Sequence, residues 1–568
     1  GCTGLSFAAP LVEIAVRDGG LYHYDRVSVH NVRDILVRHF PLSGRARKFR
    51  QRLDRLLANL VTGDIWEPVT RYPIDLRDGP ESLYRGRQEH LVTEHCGSLD
   101  PLDLEGYISH GGISALKGCL HDQSSAEIIR LIERSGLRGR GGGGYPTGRK
   151  WASVRAAAGK QKYIICNGDE GDPGAFMDRM ILESFPFKVI EGMIIAAFAV
   201  GASKGCLYIR SEYPLAIGRI NRALEICRAR GFLGDRILGS DFNLDLVVFE
   251  GAGAFVSGEE TALIAALEGK RGTPRFRPPY PSEAGLWNDP TLVNNVETLA
   301  LVPWIIRHGP EAFAARGTPG STGTKTFALA GKVIRGGLIE VPMGITLREI
   351  VDDIGGGVQA GRRLKAVQVG GPSGGCVPAT LADTPVDFEQ LAAAGAIVGS
   401  GGLVVLDETD CMVDIARYFM AFTQVESCGK CTPCRVGTRR MLERLERLCQ
   451  GRGRDGDIEE LERLAETVKK GSLCGLGRTA PNPVLSTIQH FRDEYEAHIQ
   501  GRCPARVCRD LITYRITDDC IGCTRCAQHC PAQAIPSAPY RKHEINQEKC
   551  VKCGTCRQVC PSDAVTVE

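Results

Sequence analysis

The sequence lacks an apolar run long enough to span a bilayer. Its best candidate, Met193–Val200, is closed by Gly192 and Gly201 and predicts a buried helix. It lacks a secretory signal. It lacks an excess of either charge: 70 Lys and Arg against 67 Asp and Glu leave a net +3 on 568 residues, which disfavours nucleic acid as a partner. A cytoplasmic protein with no direct membrane span, membrane-associated at most through partners, is the expectation. The chain opens at Gly1 without Met, which leaves room for a longer N-terminal part. What it does not lack is length, enough for about three to five domains.

Cysteine is plentiful, with 23 residues, but not in the manner of a disulfide scaffold. The cysteines are sparse up to residue 411 and then crowd into short repeated spacings, which in an intracellular chain indicates metal. Cys520-x-x-Cys523-x-x-Cys526-x-x-x-Cys530-Pro is echoed by Cys550-x-x-Cys553-x-x-Cys556-x-x-x-Cys560-Pro. This is the spacing of two-cluster bacterial ferredoxins, in which the fourth cysteine crosses to the other cluster. Cys520, Cys523, Cys526 and Cys560 are therefore assigned to one [4Fe–4S], and Cys550, Cys553, Cys556 and Cys530 to a second. Zinc also takes C-x-x-C pairs, but eight thiolates so arranged favour iron–sulfur. Cys428, Cys431 and Cys434 lack a nearby fourth ligand, and Cys474 is the expected completion of a third [4Fe–4S]. Cys449, Cys503 and Cys508 are left over. With His543, or His529 in its place, they predict a Cys₃His zinc site, the alternative being buried unligated thiols. Cys96 is expected to be structural, and Cys119, Cys166, Cys206, Cys227, Cys376 and Cys411 to be core.

A second concentration is glycine. Residues 138–150 read Arg-Gly-Arg-Gly-Gly-Gly-Gly-Tyr-Pro-Thr-Gly-Arg-Lys, after an amphipathic run, Ala126–Ser135, that predicts a helix stopped by Gly136. Glycines remove side chains where backbone N–H groups must approach an anion, and the loop is too basic for a plain linker. It predicts a nucleotide or flavin phosphate cradle.

In chain order, apolar alternation at 11–16 and 21–24 predicts a hairpin turning at 18–20, followed by a helix from about Val29 to Phe40. Residues 41–104 form a connector. From 105 to 320 helix and strand alternate as in an α/β domain, with strands at Tyr163–Cys166, Cys206–Arg210 and Leu244–Phe249 and helices at Phe187–Val200 and Thr261–Leu267. The Gly-x-Gly after the third strand does not complete the dinucleotide fingerprint, so no Rossmann fold is read from it. Residues 321–410 turn strand-like at Phe327–Ala330, Gly337–Val341 and Ala366–Val369, with one helix near Leu347–Ile354. That pattern predicts a compact β-grasp-like (ubiquitin-like) insert. Residues 411–500 are helical, and 501–568 hold the ferredoxin repeat. The fold class expected is multi-domain α/β with that insert, an α-helical iron–sulfur domain and a C-terminal ferredoxin-type domain.

The motifs from Arg138 to Gly148, Asn167-Gly-Asp-Glu170, Gly258-Glu-Glu-Thr-Ala-Leu263, Val293-Asn-Asn-Val-Glu-Thr298 and Glu426-Ser-Cys-Gly-Lys-Cys-Thr-Pro-Cys434 occur in an order that resembles the NADH-binding flavoprotein subunit of respiratory complex I. The resemblance covers about 105–500. The ferredoxin tail is similar to that of longer relatives in electron-bifurcating hydrogenases, NAD-dependent formate dehydrogenases and related soluble complexes.

The resemblance implies FMN held by Gly139, Arg140, Gly141, Gly142, Gly144, Lys150, Asn167, Asp169, Phe255, Gly258, Glu259, Asn294, Asn295 and Thr298. It implies NADH held by Tyr145, Asp172, Glu260, Arg277 and Tyr280, with Glu260 positioning the nicotinamide rather than acting as acid or base. Helix N-termini also favour acids, an equally good reading of Glu259 and Glu260. Relatives carry Phe at the two tyrosine positions and Glu at Asp172. Their N-terminal thioredoxin-like domain binds a [2Fe–2S] cluster through cysteines, two of which match Cys2 and Ser6. Serine is a poor thiolate replacement, so residues 1–40 are expected to be a truncated remnant without a cluster.

The function implied is hydride exchange between NADH and FMN, then one-electron transfer through [4Fe–4S] clusters to partner subunits, with bifurcation a further option. Those partners are a thioredoxin-like [2Fe–2S] subunit and a further iron–sulfur or terminal reductase subunit. The alternatives are an electron-relay or scaffold subunit that no longer uses NAD(H), and an assembly module stapled throughout by zinc.

Overall fold

The computed structural model describes residues 4–15, 21–24, 26–40, 71–73, 84 and 86–568. Near the N-terminus β1 (Val12–Ala15), β2 (Leu21–Tyr24) and β3 (Arg71–Pro73) pair antiparallel in that order, and α1 (Val32–His39) follows β2. The expected turn at 18–20 and most of the connector lie outside the described residues.

The run before the glycine loop is helical because both its ends are satisfied. In α2 (Ser125–Ser135) the Ser124 side chain accepts from the Glu127 N–H, the Glu127 carboxylate accepts from the Ser124 N–H at 2.7 Å, and Gly136 closes the helix at φ 68°. After α3 (Thr147–Ala156) come β4 (Tyr163–Gly168), α4 (Met177–Ser184), α5 (Pro186–Val200), β5 (Lys204–Arg210), α6 (Pro214–Ala229), β6 (Asp245–Gly251), α7 (Glu260–Leu267), β7 (Thr291–Asn295) and α8 (Val296–His308).

The four strands are parallel in the order β6-β5-β4-β7. This is half of a doubly wound sheet, and its switch point falls between β4 and β7. The β4–α4 turn carries no glycine fingerprint because the glycine loop of this chain precedes β4. Helix α5, apolar apart from the buried Lys188 and Glu191, is buried along its length and crosses α8 closely. A Cβ on Gly192 would meet the Leu299 carbonyl oxygen at 2.0 Å. Among the described residues no helix is long and apolar enough to cross a membrane.

A second sheet combines β8 (Thr324–Gly331), β9 (Gly337–Pro342), β10 (Leu364–Val369), β11 (Gly375–Pro378) and β12 (Gly402–Asp407) in the order β9-β8-β12-β10-β11, with only β8 and β12 parallel. The three strands expected here are present, and β11 and β12 are additions to them. The expected helix at 347–354 begins with a Thr346–Glu349 capping box but widens to a π turn at Ile350–Ile354. The helical region that follows contains α9 (Met412–Val425), α10 (Thr432–Cys449), α11 (Asp457–Gly471), α12 (Gly475–Thr479), α13 (Asn482–His490) and α14 (Arg492–Ile499). In the tail, β13 (Tyr514–Ile516) pairs antiparallel with β14 (Val565–Val567), enclosing the short helices α15 (Arg525–Gln528) and α16 (Thr555–Gln558).

The two sheets meet at a buried ion pair. Lys325 of β8 donates to Glu297, in the first turn of α8, at 2.5 Å, and both side chains are almost inaccessible. Glu297 also accepts from the Thr326 N–H at 2.8 Å, and Lys325 donates to the Ser400 carbonyl at 2.7 Å. Replacing Glu297 with Gln leaves a buried cation uncompensated and should cost about 3–5 kcal/mol. Thermal unfolding should show this as a clear loss, largely recovered when Lys325→Met is added. An unchanged transition in the single variant contradicts the role.

Candidate functional site

The carboxyl ends of β4 and β7 lie side by side, Cys166 opposite Asn294 and Asn167 opposite Asn295. Asn167 Nδ2 donates to the Gly258 carbonyl (2.9 Å), and its Oδ1 accepts from the Asp169 N–H (3.1 Å). Buried Asn294 accepts from the Trp151 indole N–H at 2.9 Å. Asn295 caps α8, accepting from the Thr298 N–H (3.3 Å) and donating to Asp178 (2.6 Å). The Thr298 hydroxyl accepts from the Arg140 N–H at 2.9 Å and so tethers the glycine loop to the switch point.

That loop is backed on one side and open on the other. A Cβ at Gly141 would lie 3.0 Å from the Asn295 Cβ, and one at Gly144 2.7 Å from the Phe388 ring. Gly142, at φ 109°, bridges to Gly399. A Cβ at Gly143 meets nothing within 4 Å, and Gly139 holds the turn by donating to the Tyr145 carbonyl at 2.9 Å. The Arg140 side chain is buried and donates to the Thr322 carbonyl at 2.6 Å, bracing the loop from behind. Tyr145 and Tyr280 are half-exposed at the cleft.

Glu259 is the N-cap of α7, accepting from Thr261 N–H (3.0 Å) and Ala262 N–H (3.1 Å), and it pairs with Arg277. The helix-capping reading of Glu259 therefore holds. Glu260 lies between two cations, pairing with Lys150 and reaching Arg277 at 3.5 Å. Asp172 is met from the second sheet: the Ser400 hydroxyl donates to it, and Gly371 packs on its carboxylate. Burial pushes Asp172 up to about 6.

Asp169 is the least satisfied group in the cleft. Both carboxylate oxygens are buried without a hydrogen-bond partner. Burial pushes its pKa up to about 7, against the pull of Arg210. Two free acceptors on a buried carboxylate, beside an open glycine loop, fit a ligand rich in hydroxyl donors.

The cleft is stitched to the first cysteine group. The Phe255 N–H donates to Glu426 at 3.0 Å, Arg271 to the Cys428 carbonyl at 3.1 Å and Lys430 to the Pro274 carbonyl at 2.5 Å, and the Phe255 and Phe422 rings are 5.5 Å apart. Cys431 is the N-cap of α10, Cys434 lies in its first turn and Cys474 is the N-cap of α12. Helix N-termini favour thiolates. Burial raises Cys434 to about 11, the Ser427 hydroxyl opposes this, and the charges of Cys431, Cys474 and Cys428 raise it further. Burial also raises Cys474, and its charged neighbours include Glu259. The four cysteines expected to share a cluster thus converge, against the acidic end of the cleft.

The tail cysteines are unpaired thiols. Backbone N–H groups aim at their sulfurs, Ala534 at Cys530 (3.2 Å) and Lys552 at Cys550 (3.4 Å). Charges of Cys520 and Cys523 act on Cys526, and those of Cys550, Cys553 and Cys526 on Cys556. This donor set fits cubane clusters.

The leftover cysteines require a correction. Cys411, His498, Cys503 and Cys508 converge, all buried, with ligand atoms within 4.8 Å of one another. His498 Nε2 lies 3.3 Å from both Cys411 Sγ and Cys508 Sγ, while its Nδ1 donates to the Glu494 carbonyl at 2.6 Å. That carbonyl fixes the tautomer that leaves Nε2 free to ligate. Cys503 and Cys508 are in the group as expected, but Cys411 and His498 stand where Cys449 and His543 were expected. Cys449 packs against Cys508 outside the foursome. His543 lies in the tail beside Cys520, and His529 bonds to the Arg525 carbonyl. Cys411 is buried in the core as expected, and it is also the α9 N-cap and a member of the group. The spacing His498-x₄-Cys503-x₄-Cys508 is the signal in the sequence that could have found it. Cys119, Cys166, Cys206, Cys227 and Cys376 are buried as expected.

A glycine-loop cleft at a sheet switch point, joined to cysteine groups of iron–sulfur type, fits a flavin and iron–sulfur oxidoreductase subunit. Comparison with known proteins agrees. Residues 132–304 match the Nuo51 FMN-binding domain, 414–498 the NADH-ubiquinone oxidoreductase-F iron–sulfur binding region, and 515–567 a 4Fe–4S dicluster domain. The chain is 50% identical to the NADP-reducing hydrogenase subunit HndC of Solidesulfovibrio fructosivorans, over 80% of this chain and 93% of that protein. It is 46% identical to an NADH-quinone oxidoreductase subunit (F 2) of Rhizobium meliloti (strain 1021), over 78% of this chain and 100% of that protein. A crystal structure of an NAD⁺-reducing [NiFe]-hydrogenase in the H₂-reduced state superposes with a TM-score of 0.65 at 33% identity, covering 88% of this chain and 76% of that one. The chain belongs to the family of FMN- and iron–sulfur-binding subunits shared by NADH-quinone oxidoreductases and NAD(P)-reducing hydrogenases.

The raised pKa of Asp169 has a sign. Its stabilising contribution in the flavin-free chain is complete below the ordinary carboxylate value of 3.8 and is lost as pH rises through about 7. Flavin-free protein should therefore lose thermal stability as pH rises from about 4 to about 7, and Asp169→Asn should lose less over that range. Equal losses would remove Asp169 as the cause.

Proposed function

We propose that this chain is the electron-entry subunit of a multi-subunit redox complex, oxidising NADH or reducing NAD⁺ at the cleft and exchanging single electrons with partners through three [4Fe–4S] clusters. The observation that carries this reading is the stitching of the Phe255–Pro274 segment to Glu426, Cys428 and Lys430, which gives cleft and cluster ligands a common wall. FMN, when bound, supplies the exchange between two-electron and one-electron chemistry.

In this reading the loop Gly139–Gly144 and Lys150 hold the flavin phosphate. Asn167, Asn294, Asn295, Thr298, Phe255, Gly258 and Glu259 line the flavin, and the free oxygens of Asp169 take ribityl hydroxyls. Tyr145 and Tyr280 stack on the adenine, and Arg277 and Asp172 orient the dinucleotide. Glu260, charge-balanced by Lys150 and Arg277, positions the nicotinamide. Hydride transfer needs no protein acid or base.

The proposed domains are a thioredoxin-like remnant (1–40), a connector (41–104), the FMN/NADH domain (105–320), a β-grasp-like insert (321–410), a helical cluster domain (411–500) and the ferredoxin tail (501–568). Zinc on Cys411, His498, Cys503 and Cys508 fastens the last two together. Partners are a thioredoxin-like [2Fe–2S] subunit and a further iron–sulfur or reductase subunit, of hydrogenase type given the relatives, in a cytoplasmic assembly in which bifurcation is one outcome.

Anaerobic addition of NADH to the purified chain should bleach its flavin absorbance, and metal analysis should give about twelve irons and one zinc per chain. The Gly142→Val chain should keep the iron and lose the flavin. No bleaching together with no dinucleotide binding would return the chain to a relay or scaffold role.

A further inference from the structure

His543 is not near the cysteines it was expected to join, and its actual position assigns it another task. The segment between the two ferredoxin motifs folds over the first cluster loop. The Tyr540 N–H donates to the Gly522 carbonyl at 3.0 Å, Lys542 donates to Asp518 at 2.6 Å, and the Arg541 nitrogen would lie 2.5 Å from a Cβ on Gly522. His543, only 1% exposed, is turned inward by this closure.

Its two ring nitrogens have different neighbours. Nε2 faces the Ala538 backbone N–H at 3.3 Å, and Nδ1 faces Cys520 Sγ at 3.8 Å. A backbone N–H can only donate, so Nε2 is the acceptor and the ring proton resides on Nδ1. That proton points at the sulfur of a cluster cysteine. Among the described residues the second motif has no imidazole counterpart: Cys550 Sγ accepts from the Lys552 N–H, and Cys553 Sγ contacts the Thr555 hydroxyl at 3.3 Å.

We propose that His543 donates a buried hydrogen bond from Nδ1 to Cys520 and thereby raises the reduction potential of the Cys520/Cys523/Cys526/Cys560 cluster above the value it would have without this donor. This rests on the two-cluster reading of the tail. Hydrogen bonds to cluster sulfurs are among the levers that set reduction potential. Reduction adds one electron and negative charge to the cluster and its thiolates, so a fixed donor stabilises the reduced form more than the oxidised form. His543 is a positioning residue. It donates to a ligand, moves no proton in the reaction and makes the first tail cluster easier to reduce.

The test is an anaerobic redox titration of the full-length chain, followed by EPR, with iron counted in the same samples. His543→Leu removes the donor. One tail midpoint should fall by about 59 mV, a tenfold change in a one-electron equilibrium, and the other should stay in place. His543→Gln, whose amide can donate, should recover part of the shift. Both midpoints unchanged in a leucine variant with about twelve irons would overturn the proposal, whereas about four irons in the wild-type chain would overturn the two-cluster reading. Should the leucine variant lose its clusters, ¹⁵N-histidine labelling of the wild-type chain decides: a weak nitrogen coupling on one reduced tail cluster, absent in His543→Gln, supports the hydrogen bond, and no coupling overturns it.

Discussion

The buried Lys325–Glu297 ion pair is the joint on which the cleft depends. Glu297 lies between Asn295, which caps α8, and Thr298, which holds the Arg140 N–H of the glycine loop. Lys325 binds the Ser400 carbonyl, the Ser400 hydroxyl donates to Asp172, and Gly399 bridges to Gly142. One charge pair therefore sets the position of the loops on both sides of the cleft. Desolvating two ions costs several kcal/mol each, and only accurate geometry offsets it. The pair acts as a register pin between two sheets, which suits a site whose donors must stand in place before a ligand arrives.

The parallel sheet supplies the other half of this preorganisation. Its switch point opens a crevice at the carboxyl ends of β4 and β7, where the chain has placed two asparagines, an unpartnered aspartate and the glycine loop. Asp169 carries the energetic tension of the cleft, since a carboxylate deprived of both water and partners disfavours its own charge. The cysteine group next to it uses the opposite device. Cys431 and Cys474 stand at helix N-termini, where the backbone favours negative sulfur. The cleft and the cysteines differ in chemistry but share a wall through Phe255, Arg271 and Lys430.

Much of this is legible in the sequence wherever the information is local. The capping of 125–135, the strands at 163–166 and 206–210, and the cysteine spacings all follow from short-range rules. Convergence across long separations is not legible. Cys411 and His498 are 87 residues apart, and Cys449, a better ligand by proximity, packs just outside the group. Strand β11 is short and starts at a glycine, and β12 is an unbroken apolar run after a glycine pair, so no two-residue alternation marks them. The strand order β6-β5-β4-β7 is hidden for a different reason: the glycine loop stands before β4, out of the place where a dinucleotide fingerprint is sought. Glu259 and Glu260, equivalent in the sequence, are separated by geometry into a helix cap and a charge-balanced acid.

In the proposed path Cys428, Cys431, Cys434 and Cys474 form the gate between the cleft and the tail. Rapid mixing of the Cys474→Ala chain with NADH, followed by freeze-quench EPR, tests this directly. The flavin should bleach at close to the wild-type rate while the tail clusters remain oxidised. Tail clusters reduced as fast as in the unaltered chain would contradict the path.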